Sequence, residues 1–276
     1  MFHRADIFSS LTLAEHEGFV CSMSKHLSGA GVDILAIQTG YSPGQLKFTT
    51  APKFGIQCAD QMFTLKEAVK EISTQHGWQA TFMTKPVISE SGCISGMHFS
   101  GSLWTGDQNA FHDPQTDGLS VIGRHWVAGL IRQGAALTAL ISPTVNCYRL
   151  VHTPDRGHCG LLRTVAASPC TTYVENRLPS SAANPYIVLA ATVAAGIDGI
   201  VNRLELPDET ETLPSSLSEA LSALEADTVL CGALGGEFIT WFLTVKRQVE
   251  IAKVDRAKKE GRDVLQVERQ LYFKFL

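Results

Sequence analysis

Apolar positions along the first third of the chain change period several times, and each change predicts an element. Between Ala14 and Gly29, Phe19, Val20, Met23 and Leu27 recur at helical spacing, and Ser28-Gly29-Ala30-Gly31 is a stop. Val32 to Ile37 is short, apolar and partly β-branched. The turn residues Tyr41-Ser42-Pro43-Gly44 follow, and then Leu46, Phe48 and Thr50 alternate with Lys47 and Thr49. This pattern predicts a hairpin with one face on a core. Thr64 stands three residues before Glu67 and ahead of Leu65, Ala68, Val69 and Ile72, a capping box opening a helix that Gly77 ends.

Thr81 to Val87 and Gly96 to Leu103 read as strands separated by Ser91-Gly92, and Val121 to Leu140 as one long amphipathic helix. Asn184-Pro185 is a strong helix start, because Asn accepts a backbone N–H at the N-cap and Pro is best tolerated at the first helical position. That helix runs to about Val201. Leu206 to Ser216, with Pro207, Pro214 and three acidic residues, is an exposed loop. Ser216 and Glu219 form a second capping box before Leu217, Ala220, Leu221 and Leu224, and a final long helix extends from Gly236 to about Lys259. Strands cluster early and helices dominate later, so the fold class is α+β.

Composition narrows the possibilities. The 276 residues are enough for one large domain or two small ones. A formal charge of −4 supplies no bulk attraction to nucleic acid or anionic membrane. The start of the chain, Met1 to Asp6, lacks the apolar stretch of a signal peptide, and the longest apolar run, Tyr186 to Ile197, is shorter than the roughly 18 residues a membrane span requires. Seven scattered cysteines with no C-x-x-C suit free thiols in a reducing compartment. The expectation is a cytoplasmic protein with no nucleic-acid partner and no membrane insertion.

Familiar catalytic motifs are absent: there is no P-loop, G-x-G-x-x-G, H-E-x-x-H or G-x-S-x-G. The best ligand candidates are His98, inside a predicted strand, and Glu175, just ahead of the Asn184-Pro185 helix. A single His in an apolar strand is more often a satisfied structural residue than a metal ligand, and Glu175 with Arg177 is equally readable as a solvated ion pair.

A longer set of motifs sharpens these residues. Val69-Lys70-Glu71-Ile72, Lys85-Pro86, Ser95-Gly96-Met97-His98 and Ser102-Leu103-Trp104 resemble the catalytic domain of the glutamine synthetase superfamily. So do Ala110-Phe111-His112-Asp113-Pro114, Ser142 to Tyr148, Glu175-Asn176-Arg177, Ala182 to Tyr186 and Ala194 to Ile200, and order and spacing hold from about Phe19 to Phe273. Within the superfamily, Ser42-Pro43-Gly44-Gln45, Glu175 to Leu178, Asn184 to Gly196 and the Leu221 to Phe238 segment are most similar to the lengsin branch.

The resemblance implies a curved, mostly antiparallel sheet with flanking helices. It also implies a partial catalytic domain over residues 1–276, N-terminally truncated, with no β-grasp domain and no second domain. Active members transfer the γ-phosphoryl of ATP to glutamate with divalent ions held by carboxylates. By the same resemblance, His98 and Glu175 occupy metal-ligand positions and Arg177 a substrate-facing one. Two further metal-binding Glu positions fall on Gly40 and Lys47, and another pair lies upstream of Met1. Cys93-Ile94 replaces an Asn-Gly of the glutamate pocket, and Ser100 replaces a second His. Arg149, Arg156 and Arg163 lack the spacing of the family's phosphate-binding arginines.

One imidazole and one carboxylate are a poor cage for Mg²⁺. The expectation is therefore a pseudoenzyme with no cofactor, a homo-oligomer associated with intermediate filament proteins in lens cells in a structural or chaperone-like role. The alternative is an ATP-dependent glutamate–ammonia ligase using Mg²⁺ or Mn²⁺. A third expectation is a truncated product that folds poorly alone.

Overall fold

Asn184 and Pro185 behave as their chemistry demands. In the computed structural model, which describes residues 7–87, 95–115, 118–149, 162–166, 168–207 and 212–276, Asn184 Oδ1 accepts from the Tyr186 N–H at 2.9 Å. Pro185 is the first residue of the helix Pro185–Val201. Two helices precede the first strand, α1 (Ser10–Glu15) and α2 (Glu17–Gly29), and they are followed by β1 (Ile34–Thr39), β2 (Leu46–Thr50) and α3 (Gln57–Gln75). Then come β3 (Phe99–Gly101), β4 (Trp104–Thr105), β5 (Gln108–Asn109), α4 (Val121–Arg132) and α5 (Gly134–Ile141). After these stand β6 (Leu162–Ala166), β7 (Thr172–Asn176), α6 (Pro185–Val201), α7 (Leu217–Ala226) and α8 (Thr228–Leu234). A continuous C-terminal helix follows, made of α9 (Gly236–Val245), a π-helical segment (Lys246–Ile251) and α10 (Ala252–Lys259), with α11 (Val264–Tyr272) last.

Among the described residues every strand pairing is antiparallel, in three small sheets: β1–β2, β3–β7–β6 and β4–β5. The hairpin expected around Pro43-Gly44 is β1–β2, with Ile37 opposite Phe48 and Gln38 opposite Lys47. Gly44 takes a positive φ of 75°, and its lack of a Cβ is what the turn requires. Phe19, Met23 and Leu27 of α2 pack on Leu65, Val69 and Ile72 of α3, with Val32, Ile34 and Phe48 closing one small core. The larger core gathers Trp126 and Leu130 of α4, Leu137 and Leu140 of α5, Val188 and Ala191 of α6, and Leu221 and Leu224 of α7.

Three predicted elements differ from the structure. The helix expected at Thr64 begins at Gln57, because Ala59 and Gln61 extend the buried stripe one full turn back, so Thr64 lies inside the helix and caps nothing. Thr81 to Val87 forms no ladder. Its backbone is held by side chains and by the chain end: the Lys85 N–H donates to Asn146 Oδ1 (2.7 Å), Ser181 Oγ donates to the Phe82 carbonyl (2.8 Å), and the Phe82 N–H donates to the Leu276 carbonyl (2.7 Å). The long helix from Val121 breaks at Gln133, whose Nε2 donates to Asp198 Oδ2 at 3.1 Å. The second capping box is half realised. Ser216 Oγ accepts from the Glu219 N–H, while the Glu219 carboxylate accepts from Ser215 N–H instead of Ser216.

Residues 208–211 of the acidic loop and the Ser91-Gly92 turn lie outside the described residues, as do Cys93-Ile94 and Arg156. Among the described residues no single helix is long and apolar enough to cross a membrane. The apolar pair α8 and the helix from Gly236 is bent by 106°.

One buried cation tests the interior electrostatically. Lys66 is 8% exposed, donates to the Ala183 carbonyl at 3.0 Å and sits 5.3 Å from the Phe82 ring centre. Burial, reinforced by the Lys70 charge, lowers its pKa to about 8. From that pH up to 10.5, the unfolded chain keeps a proton that the folded chain has released, so stability rises with pH across this window. Below it both states are charged, so the pH dependence vanishes while the cost of burying the ammonium is fully present. Relative to Lys66→Met, the protein is expected to gain about 3 kcal/mol as pH rises through this interval. Urea unfolding of both proteins at several pH values measures it, and a pH-independent difference would disprove the assignment.

Candidate functional site

Two of the sequence-predicted residues meet directly. Glu175 lies on β7 and His98 immediately before β3, and β3–β7 pairing places Ser100 opposite Glu175. His98 Nδ1 stands 3.0 Å from Glu175 Oε1. Arg177 Nε approaches the other oxygen, Oε2, at 3.9 Å. Both oxygens of the carboxylate thus face a partner within this chain. The predicted strand holds His98 only at its edge, since the ladder starts at Phe99.

Burial lowers the His98 pKa, and the charges of Arg177 and Lys47 push it further in the same direction, against the pull of Glu175. Lys47 therefore sits close enough for its ammonium to act on this imidazole. The β1–β2 turn is tied to the segment leading to His98 by Gln45, whose Nε2 donates to Ser95 Oγ at 3.4 Å. Gln45 Oε1 also accepts from the Ser42 N–H at 3.2 Å. The same side chain fills the space beside Gly40, where an added Cβ would lie 2.5 Å from Oε1. A longer residue at position 40 needs Gln45 displaced. The arrangement around Gly40 and Lys47 thus presents an amide and an ammonium.

Among the described residues, no three His, Cys, Asp or Glu side chains come together in a way that could hold a metal ion. Arg149, a candidate by residue type, is drawn elsewhere: its guanidinium bonds both oxygens of Glu268 at 3.0 Å. Arg163 is the residue that sequence reasoning set aside and the structure places here, because it is the Cα partner of Glu175 across the β6–β7 ladder. Leu162 to Ala166 does not alternate between buried and exposed positions, so the sequence carried no period-two signal for that pairing. A separate cavity of about 410 Å³, between Arg124, Val127 and Thr164, lies off the opposite side of β6 and involves none of these groups.

Comparison with known proteins agrees with the fold and the motifs. Human lengsin is 34% identical over 272 residues, covering 87% of this chain and 52% of lengsin. The glutamine synthetase of Staphylococcus aureus strain MW2 is 33% identical over 248 residues, covering 80% of this chain and 55% of that enzyme. The chain spans about half the length of these relatives. A crystal structure of a novel glutamine synthase homolog superposes with a TM-score of 0.87 at 26% identity, covering 98% of this chain and 67% of the other. The model of the glutamine synthetase catalytic domain matches residues 2–262, and the chain accordingly belongs to the glutamine synthetase family.

Proposed function

We propose that this chain is a non-catalytic member of the family, of the lengsin type, acting as a structural or chaperone-like homo-oligomer alongside intermediate filament proteins in lens cells. The observation that carries the loss of catalysis is the His98–Glu175 contact. The two residues in metal-ligand positions satisfy each other at 3.0 Å, with Arg177 on the second carboxylate oxygen. A divalent ion would have to break this contact and then accept only two protein donors beside the Lys47 charge. The donor set does not fit Mg²⁺ or Mn²⁺, and phosphoryl transfer to a carboxylate needs those ions to neutralise phosphate charge. Similarity to lengsin supports the filament-associated role, and retained caps, turns and core stripes support selection for packing.

The second reading is an ATP-dependent glutamate–ammonia ligase, favoured by 33% identity to a bacterial glutamine synthetase. A γ-glutamyl hydroxamate assay with ATP and Mg²⁺ or Mn²⁺ separates the two. The expected rate equals that of a His98→Ala, Glu175→Ala double variant. Turnover well above that control would establish the ligase. Co-sedimentation with assembled intermediate filaments tests the structural role, and recovery of the chain only in the supernatant would count against it.

A further inference from the structure

Strand β6 stands at the edge of its sheet, and its inner face looks across a gap at helix α4. Thr164 and Ala166 lie opposite Val174 and Thr172, both buried on β7, and opposed residues of an antiparallel ladder project to the same side. Arg163 and Glu175 project to the other side of the sheet. Thr164 and Ala166 carry short side chains, and the space they leave against α4 is the cavity of about 410 Å³. That volume is in the range of small-molecule sites. Leu119 and Val127 line it from the α4 side and Leu206 from the segment after α6.

Hydrogen bonds fix these walls. Ser120 Oγ accepts from the Gly123 N–H at 3.1 Å and donates to the Ala110 carbonyl at 2.6 Å, which sets the entry to α4. His125 Nδ1 donates to the Leu204 carbonyl at 2.7 Å and so ties the segment carrying Leu206 to the same helix. Leu206 is 47% exposed and Val121, three residues before Arg124 on its helix face, 54%, so apolar surface continues from the cavity to its rim. One charge stands among these apolar groups. The Arg124 guanidinium is anchored through Nη1 to the Leu119 carbonyl at 2.7 Å, which leaves Nε and Nη2, the edge that Arg149 presents to Glu268. Arg124 has no ion-pair partner among the described residues, and no residue lining the cavity is acidic.

We infer that this cavity binds a small monocarboxylate with an apolar body, its carboxylate on Arg124 and its hydrocarbon against Leu119, Val127, Ala166 and Leu206. The guanidinium edge matches the two oxygens of a carboxylate, and the Thr164 hydroxyl offers a further donor. A carboxylate without an apolar body leaves the walls wet, and an uncharged hydrocarbon leaves the guanidinium unused. The site shares no residue with the His98–Glu175 contact, so it holds whether or not the chain is catalytic.

Calorimetric titration of the full chain with octanoate at neutral pH tests it, with backbone amide resonances as a site-specific reporter and 1-octanol and octylamine as probes of matched length. Octanoate is expected to bind and to shift the Gly118 and Ala166 amides while leaving the His98 imidazole resonances in place. Octanol should bind about tenfold more weakly, the loss of one charge-assisted contact, and octylamine more weakly still. Arg124→Met keeps an apolar stem and should weaken octanoate about tenfold without changing octanol, and Arg124→Lys should recover part of that loss. Ala166→Phe fills the cavity and should abolish binding of both. Should that variant fail to fold, Arg124→Met, at an exposed position of α4, carries the test by itself. Octanol binding as tightly as octanoate, octanoate affinity unchanged in Arg124→Met, or shifts confined to residues away from the cavity each overturn the proposal. So does an absence of binding at millimolar octanoate.

Discussion

Gly199→Ala is expected to destabilise the fold by about 3 kcal/mol, because the new methyl group has nowhere to go. A Cβ at this position would lie 2.1 Å from the His125 carbonyl oxygen and 2.8 Å from the Gly129 Cα. The obstacle is backbone on a neighbouring helix, and backbone cannot rotate aside as a side chain can. The contact is reciprocal, since a Cβ on Gly129 would lie 2.1 Å from the Ala195 carbonyl oxygen. One helical turn away, Gly196 lies under the Trp126 ring, where a Cβ would fall 2.3 Å from ring atoms. Helices α4 and α6 therefore meet at glycines, and the whole larger core is built around their close approach. Gly232→Ala in α8 is the matched control. Nothing lies within 4 Å of its added Cβ, and alanine's better helix propensity should stabilise by about 0.5–1 kcal/mol. Denaturant midpoints of the two variants measure both effects. Equal midpoints would show that α4 and α6 are not in contact at these positions.

Glu268→Ala is expected to cost about 3 kcal/mol, the lower end for breaking a buried ion pair, because Arg149 is partly solvated. Glu268 is 1% exposed, and its oxygens accept from Arg149 Nε and Nη2 at 3.0 Å and from Asn146 Nδ2 at 2.7 Å. Asn146 in turn exchanges hydrogen bonds with the Lys85 backbone. One carboxylate thus fastens α11 to the segment after α5 and, through Asn146, to the strandless stretch at Lys85. Truncation leaves the Arg149 guanidinium and one N–H of the Asn146 amide without their acceptor. Glu268→Gln keeps an acceptor and should lose roughly half as much. Pairing Glu268→Leu with Arg149→Leu should recover part of the loss, since no charge is then left unpartnered. A Glu268→Ala variant with an unchanged urea midpoint would refute this account of how the C-terminal helix is held.

Much of the fold was legible because local chemistry and tertiary structure agree. Asn184-Pro185, Ser216 and the Pro43-Gly44 turn use short-range geometry that needs no distant partner. Where the readings failed, a distant group had taken over a local role. Thr81 to Val87 has the composition of a strand, yet its hydrogen-bonding partners are Asn146, Ser181 and the chain terminus. Helix α3 starts early because Ala59 and Gln61 find burial against other elements, which outweighs the capping preference of Thr64.

The site divides along the same line. His98, Glu175 and Arg177 are recognisable from motif, and Gly40 and Lys47 from their spacing about the Pro43-Gly44-Gln45 turn, where the family resemblance implies that glycine and lysine stand in place of carboxylates. Residue identity alone decides that, since Lys47 carries its charge wherever the chain places it. What the tertiary structure decided is which groups satisfy one another. Glu175 meets His98 from a position 77 residues away, Gln45 fills the space beside Gly40, and the β6–β7 register sets Arg163 against Glu175 while Arg149 goes to Glu268. Strand register and long-range pairing are cooperative properties of the packed chain, and two arginines of identical chemistry acquire different roles only when the backbone brings them to different partners.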